Sequence, residues 1–275
     1  MAQDEHKMLF DLQRGRRKTA VKVVYGILAV LMGASLFLVV GPVNLGELFS
    51  SSSSGGGDVA KPYEEQAERL EAKLKKDPEN TQLLEGLTRA QVTAGNSLLS
   101  LEPDEEDLTN ALQQYKLASS SWSEYVDLTD EPNAGTAQLV APALLSLAER
   151  SRTYGEAQRN IEAATEAQQI VAKQRPTLNS FSTLALYTYF TGDFKAAEAA
   201  QAEAAKLTRA KYEREQLDKQ MEEVKKNAEK FQKSRKQAEA AEKAAAKGNK
   251  GNPEALQAPT NPLGSSFGTG STLGE

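Results

Sequence analysis

Cysteine is absent from this 275-residue chain, and histidine occurs once, at His6. Without a thiol there is no disulfide framework, no thiolate metal site and no lipidated cysteine to serve as an anchor. The single imidazole lies close to the N-terminus, so the rest of the chain has no histidine to act as general base or metal ligand. No glycine-rich phosphate loop is present. Adjacent acidic pairs such as Glu105 with Glu106 and Glu222 with Glu223 point to different faces of a helix, so they do not form a carboxylate dyad. These absences lead us to expect a protein that is not an enzyme and takes no cofactor or metal.

Aromatic residues make up only 6% of the chain, whereas Ala, Glu, Lys, Gln and Leu dominate, which is the vocabulary of helices. The expected fold class is all-α. Residues 23–43 carry no charge, a length that suits one helical crossing of a bilayer. Arg14, Arg16, Arg17, Lys18 and Lys22 lie before that run, and no basic residue comes after it until Lys61. The positive-inside rule then keeps the N-terminus cytoplasmic and translocates the remainder of the chain. The run is long for a signal peptide and lacks a small-x-small cleavage site, so an uncleaved anchor is expected.

This gives a basic cytoplasmic stub at 1–18, a transmembrane helix at 19–43 and a Ser/Gly linker at 44–60. A helical domain is expected at 61–211, a long charged helix at 212–247 and, from the Gly, Pro, Ser and Thr content, a disordered tail at 248–275.

Within the helical domain the strongest internal pattern is Phe181, Leu184 and Ala185, then Gly192, then Phe194, Ala197 and Ala204. It reads as one helix, a glycine turn and a second helix whose small residues admit a close neighbour. Leu84, Leu87 and Gly95 repeat the first part, and Ala111, Tyr115 and Ala118 repeat the second after the insertion SLLSLEPDEED. Leu144, Leu147, Ala148 and Gly155 form a middle unit, and Gly155 and Gly192 are 37 residues apart. Asp77 followed by Pro78 reads as one helix start, Pro103 followed by acidic residues as another, and Pro142 as a start or a kink.

The pattern resembles the tetratricopeptide repeat, whose period is about 34 residues. The resemblance implies about three antiparallel hairpins stacked in a solenoid, because one hairpin cannot bury its apolar stripe alone. It also implies a concave wall formed by the first helix of each hairpin. Carried over residue by residue, that wall comprises Gln82, Glu85 and Arg89, then Glu149 and Arg152, then Asn179, Ser182 and Tyr189. A surface mixing charge, amide and phenol suits an extended peptide or a partner's helix. Trp122 and Tyr125 are expected to pack between helices.

Farther along, Leu217, Met221, Val224, Ala228 and Phe231 alternate in steps of four and three. That spacing suits either a capping helix over the open end of the repeats or a coiled-coil homodimer. Capping is expected up to Phe231, with a solvated, projecting helix beyond it. Charge divides along the same line. Residues 58–205 hold 13 basic and 24 acidic groups, and residues 206–247 hold 13 and 8. The acidic part is a poor candidate for nucleic acid, and the basic helix suits an acidic partner or anionic lipid headgroups.

In layout the chain is similar to single-pass tetratricopeptide proteins of bacterial plasma membranes, some of which associate with the Sec translocon and periplasmic chaperones. The resemblance implies a membrane-anchored adaptor that binds protein partners on the extracytoplasmic side, newly exported chains or translocon components among them. The alternative is a structural spacer that dimerises through its C-terminal heptad helix.

Overall fold

The computed structural model describes residues 56–99 and 103–246. The cytoplasmic stub, the transmembrane helix, most of the linker and the C-terminal tail expected from the sequence lie outside the described residues. Among the described residues there are eight α-helices and no strand, and no helix is long and apolar enough to cross a membrane. The helices are α1 (Gly56–Leu74), α2 (Thr81–Leu98), α3 (Glu105–Asp127), α4 (Ala134–Glu149), α5 (Tyr154–Gln174), α6 (Leu178–Thr191), α7 (Phe194–Lys206) and α8 (Lys211–Ala246).

Short polar side chains start these helices. Each free N–H at a helix N-terminus needs an acceptor, and α2 to α7 receive one from Asn80, Asp104, Asn133, Thr153, Thr177 and Asp193 respectively. At α3 the arrangement is reciprocal, with Asp104 accepting from the Asp107 N–H at 2.8 Å while the Asp107 carboxylate accepts from the Asp104 N–H. The start expected at Asp77 lies instead at Asn80, whose Oδ1 accepts from the Leu83 N–H at 3.0 Å. Asp77 supports it by accepting from Asn80 Nδ2 at 2.8 Å. Replacing Asn80 with Ala should therefore cost about 1 kcal/mol in a urea titration, whereas Asp77→Ala should cost only a few tenths.

Connections of a few residues fold consecutive helices back on one another. Leu98 meets Ala60, and Leu87 and Ala90 meet Ala67, so α1 and α2 run antiparallel. Asn96 meets Tyr115 and Thr88 meets Ser121, so α2 and α3 do the same. Gln158 reaches the Thr191 carbonyl and Gln168 the Ser180 carbonyl, which makes α5 and α6 antiparallel. Next-but-one helices meet as well: α2 touches α4, and α6 touches α8. The core is correspondingly rich in alanine, with Ala118, Ala137, Ala141, Ala164 and Ala197 all buried, because a methyl group lets helix axes come close.

Three sequence expectations change here. First, α1 begins at Gly56, inside the stretch read as linker. Second, of the three glycines in the repeat pattern only Gly192 sits at a turn, with φ +92° at the end of α6. Gly95 lies within α2 and Gly155 in the first turn of α5. Third, α4 begins at Ala134, well before Pro142.

Residues 193–247 hold no proline or glycine, yet the helix breaks between α7 and α8, where the Glu213 carboxylate accepts from the Arg209 and Ala210 N–H groups at 2.7 and 3.2 Å. Leu217, Met221, Val224, Ala228 and Phe231 are all buried within the same chain, against α5, α6 and α7. Burial continues past Phe231 to Gln232 and Ala238, so the helix does not become a free projection at that point. Gln232 donates to the Phe190 carbonyl and to Gln158 Oε1, which ties α8 to the C-terminal end of α6 and to α5.

Candidate functional site

The eight wall residues divide into two groups. Gln82 and Arg89 are exposed and Glu85 half-buried on α2, Glu149 is half-buried at the end of α4, and Arg152 and Asn179 are exposed. Ser182 and Tyr189, by contrast, are only 4% and 2% exposed. The Tyr189 hydroxyl donates to Gln201 Oε1 on α7 at 2.9 Å, and its ring packs beside Phe194. Ser182 turns its hydroxyl back to the Asn179 carbonyl at 3.1 Å. Tyr189 therefore faces the second helix of its hairpin and not an open wall. A buried phenol needs a partner, and Gln201 supplies one. Burial raises its pKa above the usual tyrosine value, with Glu198 adding to the rise and Lys225 opposing it.

The remaining six do not form one cluster. On α2, Gln82, Glu85 and Arg89 share a face through their three- and four-residue spacing. The Arg89 guanidinium lies 3.8 Å from the Glu85 carboxylate, and the Thr136 hydroxyl at the start of α4 donates to that carboxylate at 2.8 Å. At the other end of α4, burial raises the pKa of Glu149, and Arg150 partly offsets the rise. The Tyr187 phenol of α6 is also pushed well above its usual range, mainly by burial and further by the negative charge of Glu149. The α2 group thus meets the first turn of α4, and Glu149 meets α6 from the last. Thr136 and Glu149 are about 20 Å apart along the helix at its usual rise. A span of that length suits a chain lying across the helices and is too long for a small ligand to bridge.

The Glu149 shift has a sign that can be tested. A carboxyl whose folded pKa is raised favours the folded state when protonated, and that contribution is lost as pH rises through the folded value. Glu149→Gln should therefore raise the urea midpoint at pH near 7, and the difference should vanish once the pH falls below the ordinary carboxylate value of about 4.3.

Sequence reasoning missed Thr136 and Tyr187. Thr136 is buried and partnered from 51 positions away, and nothing in local spacing signals such a contact. A second polar set, also missed, lies inside α1 to α3. Ser121 donates to Gln91 Oε1 at 2.7 Å, Thr88 lies 3.0 Å from Ser121, and Gln91 Nε2 reaches Glu71 at 3.4 Å. Among the described residues every buried side-chain nitrogen or oxygen has a partner, so this set reads as packing. Trp122 and Tyr125 are buried, with ring centroids 5.5 Å apart. The Tyr125 hydroxyl accepts from the Asn133 N–H at 3.1 Å, just before α4. Among the described residues no group of three or more His, Asp or Glu side chains is arranged to hold a metal ion.

No protein-family model, no curated protein and no solved structure matches the chain.

Proposed function

We propose that the chain is a membrane-anchored scaffold of tetratricopeptide-like hairpins that binds protein partners on the extracytoplasmic side, newly exported chains or translocon and chaperone components among them. The observation that carries this reading is the polar face of α2 and the end of α4. Gln82, Arg89 and Arg152 are exposed there and Glu85 and Glu149 half-exposed, next to the contacts that join α2 to α4 and α4 to α6. Glu85 and Arg89 present charge of both signs within one turn, which suits the alternating polar groups of an extended peptide. The uncharged run at 23–43 supplies the anchor, and anchoring raises the domain's effective concentration at the membrane. In this reading the protein performs no catalysis.

The competing reading, a spacer dimerising through the heptad residues, is disfavoured by their burial within one chain. A dimer through that seam first has to lift α8 off the core.

The test is photocrosslinking in native membranes from positions 89 and 152, with position 116 on α3 as the control. Lys116 is exposed on α3, a helix that contributes none of these residues. The proposal expects the same protein adducts from 89 and 152 and none from 116. Adducts to lipid alone, or equal capture at all three positions, contradict it.

A further inference from the structure

The outward face of α8 is left without a role by the fold and by the scaffold reading. Its charge changes along its length. Residues 211–224 hold three basic and five acidic side chains, whereas residues 225–247 hold eight and three. Several of these charges are already occupied. Lys225 pairs with Glu198 at 2.8 Å, Lys226 with Glu222 at 2.7 Å, and Arg235 with Glu239 at 3.1 Å. Lys230, Lys233 and Lys236 are exposed and have no carboxylate within salt-bridge distance among the described residues. Glu229 is the exposed acid nearest to them in sequence.

We propose that this lysine face of α8 rests on an anionic phospholipid surface and orients the domain against the membrane. The inference relies on the anchored reading given above. The apolar seam is consumed inside the chain and the exposed Tyr212 lies at the far, acidic end of the helix, so whatever covers the stretch from Lys230 to Lys236 is recognised by charge. Lys230, Lys233 and Lys236 lie along about 9 Å of straight helix at the usual rise. A flat plane of lipid phosphates can meet all of them at once, whereas a protein has to offer carboxylates at a matching pitch.

Reach also favours lipid. Only twelve residues separate Val43 from Gly56, and covalent geometry limits any chain of that length to about 45 Å. The acidic remainder of the domain is repelled by the same surface, so attraction at one end and repulsion elsewhere select one orientation. Lysines within about a Debye length, roughly 8–10 Å, experience the attraction.

The experiment uses the full chain reconstituted into nanodiscs of phosphatidylcholine alone or with about one third phosphatidylglycerol, and reads acylation at each lysine by mass spectrometry. Lys230, Lys233 and Lys236 should react about five-fold more slowly in the anionic discs, while Lys116 and Lys195 stay unchanged. Salt at about 0.5 M should restore the rates. Lys226, one turn before them and paired with Glu222, should show a smaller protection that is lost when all three are changed to Gln, while the thermal midpoint is retained because these side chains are exposed.

Equal rates in the two discs overturn the proposal. So does protection that appears only in native membranes carrying proteins, since it assigns the face to an acidic partner. A chain that enters neither disc refutes the anchor instead, and the lysine readout on chain added to preformed discs then still decides the lipid contact.

Discussion

Gly95→Val should lower stability by about 3 kcal/mol and the thermal midpoint by roughly 6–12 °C, although it replaces a glycine within the last turn of a helix. A Cβ on Gly95 meets Tyr115 Cε1 at 2.5 Å and Cδ1 at 2.8 Å, and the Ala111 carbonyl of α3 at 3.2 Å. The ring cannot swing aside, because it is buried and its hydroxyl donates to Asn96 Oδ1 at 2.6 Å. Relief requires α2 and α3 to separate. Gly95→Ala tests the balance between two effects. Helix propensity favours Ala by about 1 kcal/mol, and overpacking opposes it by about 1–3 kcal/mol, so the net result should still be destabilising. Shortening the neighbour with Tyr115→Leu in the Gly95→Val chain should recover about half of the loss, a coupling that a double-mutant cycle measures directly. Additive losses would show that Gly95 does not set the spacing of the two helices.

Phe231→Ala should cost about 3–5 kcal/mol. Its ring lies 5.7 Å from Tyr154 and 5.9 Å from Phe190 between centroids, so one truncation opens a cavity where α8, α5 and α6 meet. The loss should appear first as faster amide exchange in α8 and at the end of α6, where Gln232 no longer holds the Phe190 carbonyl. Because the seam is buried within one chain, oligomeric mass should not change. A drop in mass with little change in the denaturation midpoint would instead support the dimerising spacer. The exposed Gln220 is the control, and Gln220→Ala should stay within about 0.5 kcal/mol.

The apolar half of this fold was readable from spacing alone. Leu84 and Leu87, Leu144, Leu147 and Ala148, and the five heptad residues of α8 are all buried, because helical period by itself determines which side chains share a face. Ala111, Tyr115 and Ala118 are buried on α3 despite the insertion before them. Glycine was harder to read, since one residue type serves two purposes. Gly192 provides the left-handed turn, and Gly95 provides room for an aromatic ring. The resemblance to the tetratricopeptide repeat puts Ser182 and Tyr189 on the wall, yet Tyr189 is satisfied by Gln201 on the next helix. Contacts of this kind, like Thr136 with Glu85, depend on how helices dock and leave no periodic trace.

The central claim is that the accessible faces of α2 and α4 grip a protein partner. Its most direct test is charge reversal at Arg89 and Arg152 together, scored by the yield of each protein crosslinked to the full chain in its own membrane. The account predicts that Arg89→Glu with Arg152→Glu lowers that yield at least about ten-fold for the specific partner, a loss of about 1.4 kcal/mol in binding. Lys116→Glu should leave the yield unchanged, and the thermal midpoint should be the same in all three chains. Equal partner yield from the double variant and the unmodified chain would contradict the account.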